Sequence, residues 1–73
     1  MTLDQLPKSQ PSVIKTMHIE HVPLKLIEIG CMPGNIVEVL QVAPFSDPIY
    51  IKVNDSFMNI RRDLAQQIEV ELI

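Results

Sequence analysis

The sequence predicts a mainly β fold: a small barrel of about five strands, with one short helix between the first and second. Three observations carry this. Short segments rich in β-branched residues recur at close spacing along the 73 residues. Turn-forming residues separate them: Gly30, Pro33-Gly34, Pro44, Pro48 and Asn54-Asp55. One stretch, EHVPLKLIEIG, has helical spacing, through Val22, Leu26 and Ile29. A chain of this length is at most one domain, spanning 1–73.

The elements follow in order. Thr2-Leu3-Asp4-Gln5 fits a capping box, which predicts a single helical turn with Leu3 and Leu6 buried. Pro7 to Pro11 is a connector, because two prolines so close exclude regular pairing. Ser12 to Ile19 alternates and reads as the first strand. Pro23 then suits the first turn of a helix of about two turns, since its missing N–H costs nothing there. Gly30 follows the last periodic residue, where helices commonly end in a left-handed conformation. Pro33-Gly34 matches the central pair of a type II turn. Gly30, Pro33 and Gly34 are therefore structural joints that reverse the chain into a second strand, Asn35 to Ala43.

Beyond the loop APFSDP, Ile49 to Val53 and Ser56 to Ile60 form a hairpin about Asn54-Asp55, a pair that tolerates positive φ. A two-residue turn sets Val53 opposite Ser56, Lys52 opposite Phe57 and Tyr50 opposite Asn59. Ile49, Ile51, Met58 and Ile60 share the inner face, and Tyr50 and Phe57 become diagonal neighbours on the outer one. Arg61 to Gln66 is one helical turn. Ile68 to Leu72 closes the chain, with Ile68, Val70 and Leu72 inward. Pairing this last strand on the first would hide sheet edges.

Composition narrows the function. Six Lys/Arg against nine Asp/Glu give a net charge of −3, and only Arg61 and Arg62 are adjacent. That leaves no basic stripe for a phosphate backbone, which argues against nucleic acid. No segment has the apolar length of a membrane span and the N-terminus has no signal pattern, so a cytoplasmic protein without membrane insertion is expected. The single cysteine, Cys31, excludes an internal disulfide. At 47% hydrophobic residues the chain should fold.

The ordered set Leu26, Glu28, Ile29, Gly30, Pro33, Gly34, Val37 and Val39 resembles the FeoA family pattern L-x-E-[LI]-G-x-x-P-G-x-x-V-x-V. It continues through Pro44, Asp47, Pro48, Val53, Ile60, Arg61, Arg62, Ala65, Ile68 and Val70. The resemblance covers nearly the whole chain. Ser9, Ser46 and Asp55 depart from it, standing where family members often carry Gly, and Cys31 replaces a larger apolar residue. The resemblance implies an SH3-like β-barrel, a cytosolic accessory role in ferrous iron transport, and FeoB as partner, a membrane transporter with a GTP-hydrolysing domain. It implies no catalytic residues. The same barrel occurs in metal-dependent repressors, so fold alone does not fix the role.

The residues give little chemistry. There is no Gly-rich phosphate loop, H-E-x-x-H or C-x-x-C, and no enzyme is predicted. A divalent metal site would have to draw on His18, His21 and Cys31, whose spacing matches no known ligand set, so no cofactor beyond weak metal binding is expected. Cys31 reads as a small buried hydrophobe rather than a reactive thiol. Asp47, Asp55 and Asp63 lie at turns and a helix start, where Asp caps backbone N–H groups. Tyr50 and Phe57 are the leading candidates for a partner surface, with Pro44 and Phe45 next. Cover by a loop or the N-terminal segment is the competing account of that outward pair. A small metal carrier or sensor, and a stand-alone barrel akin to the repressor domain, are the alternative functions. A weak homo-oligomer also stays open.

Overall fold

The computed structural model describes residues 1–73, the Ser46 side chain excepted. Ser46 as a turn former in place of glycine therefore lies outside the described residues. Five strands, β1 (Ser12–Met17), β2 (Ile36–Val42), β3 (Ile49–Val53), β4 (Ser56–Ile60) and β5 (Ile68–Leu72), form one antiparallel sheet in the order β4-β3-β2-β1-β5. Two helices interrupt it, α1 (Leu24–Glu28) and α2 (Arg62–Ala65). The last strand pairs with the first, as edge protection required, and the sheet wraps a core that includes Ile14, Leu26, Val37, Val39, Ile51 and Ile68.

The N-terminal turn, Leu3–Gln5, puts Leu3 and Leu6 into that core. The Thr2 N–H donates to Gln5 Oε1 at 3.0 Å, and the Thr2 hydroxyl donates to Asp4. Burial of apolar side chains drives this docking, at about 1.5–3 kcal/mol for each large one fully removed from water. Sequence periodicity alone misplaces β1, which stops at Met17 rather than Ile19. Its partner β5 begins at Ile68, directly opposite Met17, so nothing is left for residues 18 and 19 to pair with. They enter a 3₁₀ turn, Ile19–His21. Helix α1 is shorter than two turns, and Pro23 is its N-cap, extended at ψ 140°, with its carbonyl accepting from Leu26.

The end of α1 explains both Gly30 and Cys31. The Gly30 N–H donates to the Ile27 carbonyl and the Cys31 N–H reaches back to Leu26 at 2.9 Å, the paired bonds of a Schellman motif. Gly30 has φ 100°, and Cys31 is fully buried in the same core cluster as Leu26. Such a helix end favours an apolar contact across it, which Cys31 supplies. Gly34 has φ 97°, and the Asn35 N–H donates to the Met32 carbonyl at 3.1 Å, as a type II turn through Pro33-Gly34 requires. Ser9, one of the departures from the resembled pattern, also has positive φ, at 63°.

The hairpin register is the expected one: Val53 opposite Ser56, Lys52 opposite Phe57, Tyr50 opposite Asn59. Asn54 takes the left-handed position, at φ 56°. Leu72 shares the face of Ile68 and Val70, as alternation requires, but it is 45% exposed rather than buried. It pairs with Ser12 at the very start of β1, beyond the layer where Val70 meets Ile14, and is covered only in part there.

Candidate protein-interaction surface

The outer face of the β3–β4 hairpin carries the aromatic pair. Alternation along β3 sends Ile49, Ile51 and Val53 inward, which leaves Tyr50 and Lys52 outside. The rings of Tyr50 and Phe57 stack with centroids 6.1 Å apart and planes inclined by 18°. Such pairs contribute about 0.5–1.5 kcal/mol beyond their burial. Phe57 stays 53% exposed, so neither a loop nor the N-terminal segment covers it, while Tyr50 is half-buried. Pro44 and Phe45 lie in the loop from β2 to β3. Phe45 has φ 68° and is completely exposed, so its ring packs on neither partner of the stacked pair. The structure thus unites two of the four candidate residues and holds the other two on a separate loop.

A second feature has no signal in the sequence. A groove of about 370 Å³ runs between β4 and the two helices, lined by Pro23 and Leu26 on one side and Asp63 and Leu64 on another. Met58, Asn59, Ile60 and Arg61 form its strand wall, and His21 also borders it. Its residues come from two stretches far apart in sequence, 21–26 and 58–67, which is why no motif announced it.

Of the possible metal ligands only the two histidines come together. The rings of His18 and His21 are 5.7 Å apart and both residues are exposed, whereas Cys31 is fully buried. Among the described residues no group of three or more His, Cys, Asp or Glu side chains is placed to hold a metal ion. Burial pushes the Cys31 thiol up from its ordinary 9.0 to about 11, the opposite of what a reactive or ligating thiolate needs. Because the folded pKa is the higher one, the stability it represents is complete below pH 9 and is lost as pH rises through about 11. Wild type should lose up to about 2–3 kcal/mol more than Cys31→Ala between those limits. Urea unfolding of both proteins at pH 8 and pH 11 measures the difference.

Two of the three carboxylates, Asp47 and Asp63, bond backbone N–H groups as expected of caps. Asp47 Oδ1 accepts the Arg62 N–H at 3.0 Å, tying the β2–β3 loop to the start of α2. Asp63 Oδ1 accepts the Leu64 N–H at 2.8 Å, and Asp55 is exposed in the hairpin turn. The Arg62 guanidinium lies 3.6 Å from Asp4, whose side chain is 9% exposed, so one arginine of the pair ties the N-terminal turn to α2. Arg61 is exposed. No helix is long and apolar enough to cross a membrane among the described residues.

Comparison with known proteins agrees with this geometry. The family model described as FeoA domain matches residues 1–72. The "Fe(2+) transport protein A/Fe(2+) transporter FeoB fusion protein" of Porphyromonas gingivalis is 36% identical over the whole chain, which corresponds to 9% of that protein. The solution structure of iron(II) transport protein A from Clostridium thermocellum superposes with a TM-score of 0.87 at 36% identity, over 100% of this chain and 46% of that one. The zinc complex of Stenotrophomonas maltophilia FeoA, described as an SH3 domain protein, has a TM-score of 0.79 at 24% identity, covering 97% of this chain and 89% of the other, which bears on fold alone. The chain therefore spans a small part of the fusion protein and under half of the Clostridium chain. With the family model covering all but its last residue, this SH3-like barrel belongs to the FeoA domain family.

Proposed function

We propose that the chain is a non-enzymatic accessory of ferrous iron uptake that acts on the cytosolic side by binding a FeoB-type transporter. The single observation that carries this is the fusion of a similar domain to a FeoB transporter in one polypeptide. Fusion keeps two modules at high effective concentration, as interacting partners require. The outward Tyr50–Phe57 pair supports binding as the mode, since aromatic anchors dominate protein interfaces.

Uptake of radiolabelled ferrous iron tests the reading, in cells producing the transporter with and without this chain. Uptake that changes with the chain is expected; identical uptake in both overturns the accessory role. The alternative of a metal carrier is tested by calorimetry with ferrous or zinc ion under reducing conditions. A histidine pair with no third ligand beside it among the described residues, and a buried thiol, predict no one-to-one binding tighter than about 1 μM. A tighter site that disappears in His18→Ala or His21→Ala favours the carrier.

A further inference from the structure

We propose that the free edge of β4 is a docking site for an extended peptide bearing a carboxylate, which adds to the sheet as a sixth strand. The two edges of the sheet are treated differently. On β5 the chain covers itself: Thr2 bridges Glu69, and the Val70 N–H donates to the Met1 carbonyl at 2.8 Å. On the other edge β4 pairs with β3 only.

In an antiparallel hairpin with a two-residue turn, backbone groups alternate between facing the partner strand and facing away. Ser56, Met58 and Ile60 face β3, so the N–H and C=O of Phe57 and Asn59 point outward. Among the described residues no backbone hydrogen bond reaches them from elsewhere in the chain. Proteins usually protect such an edge with lysine, proline or a bulge. Ser-Phe-Met-Asn-Ile contains neither residue, and its register with β3 is unbroken.

The apolar groove borders this same strand, and Leu26, Met58 and Leu64 are among its lining residues. A compact apolar ligand would bury the Asn59 backbone without partners, at a cost in unmade hydrogen bonds. An extended peptide meets both demands, pairing with the backbone while alternate side chains enter the groove. Charge selects further. Arg61 and Asp63 both border the groove, and Asp63 keeps its charge while accepting the N–H of Leu64, but Arg61 continues the strand wall and has no ion-pair partner among the described residues. A carboxylate at the Arg61 end is therefore the complementary group.

The test is an NMR titration of the isotope-labelled chain with the capped peptide Thr-Val-Thr-Val-Thr-Glu and with its fully N-methylated counterpart. The parent peptide should bind with a Kd of about 1 mM or tighter. It should slow hydrogen exchange at the Phe57 and Asn59 amides, while the N-methylated peptide, which lacks backbone donors, should not bind. Arg61→Glu, shown to be folded by its own spectrum, should weaken binding about tenfold. Four results would overturn the proposal: no binding by the parent peptide, equal binding by the N-methylated one, protection confined to another strand, or pairing of β4 with a second copy in the free protein.

Discussion

Gly30→Val should lower the melting temperature by about 10–30 °C, the largest effect of any single substitution considered. Two costs combine. At φ 100° a β-branched residue is disfavoured by about 1–3 kcal/mol. A Cβ at this position would also stand 2.1 Å from Asn54 Nδ2 and must displace it. That amide donates to the Ile29 carbonyl at 3.2 Å, so its displacement forfeits about 0.5–1.5 kcal/mol more. A core this small supplies roughly 3–5 kcal/mol in all. Gly34→Val is the internal comparison: φ is similar, 97°, but no atom lies within 4 Å of the added Cβ. Thermal melts should rank Gly30→Val below Gly34→Val, and both below the parent. Equal melting of the two variants would mean that the Asn54 contact costs nothing to break.

The second large effect is on association. Tyr50→Ala combined with Phe57→Ala should leave the fold intact, because the core beneath the hairpin is made by Ile49, Ile51, Val53 and Ile60. Only the stacking and partial burial of two outer rings are lost. At an interface, truncating an aromatic anchor commonly costs about 2 kcal/mol or more, so the stacked pair should weaken transporter binding about 30-fold or more. The two losses will not simply add, since the rings touch each other. Circular dichroism checks folding and a pull-down of the transporter's cytosolic part checks binding. Undiminished binding by the folded double variant would move the interface away from this face.

Local grammar made much of the fold legible. Gly30, the Pro33-Gly34 turn and the Asn54-Asp55 hairpin act within a few residues of chain, and each took the conformation its chemistry favours. From the hairpin turn alone the register followed, and with it the Tyr50–Phe57 pair. What stayed hidden depends on contacts across the chain. Asn54 closes on the Ile29 carbonyl and Asn35 Nδ2 on the Gly30 carbonyl at 2.7 Å, so Gly30 is held from two sides by residues whose roles are not local. Arg62 ties α2 to Asp4 and to the loop at Asp47. Leu72 matches the alternation of β5, yet alternation says nothing about where the core ends, and the strand runs past it. The groove beside β4 needs both helices in place before it exists.

The central claim is that this barrel binds a FeoB-type transporter, and calorimetric titration of the transporter's purified cytosolic part with the wild-type chain tests it most directly. The account predicts saturable binding at a fixed stoichiometry, weakened in the Tyr50→Ala, Phe57→Ala double variant. Absence of any heat or co-elution, with both proteins folded, would contradict it.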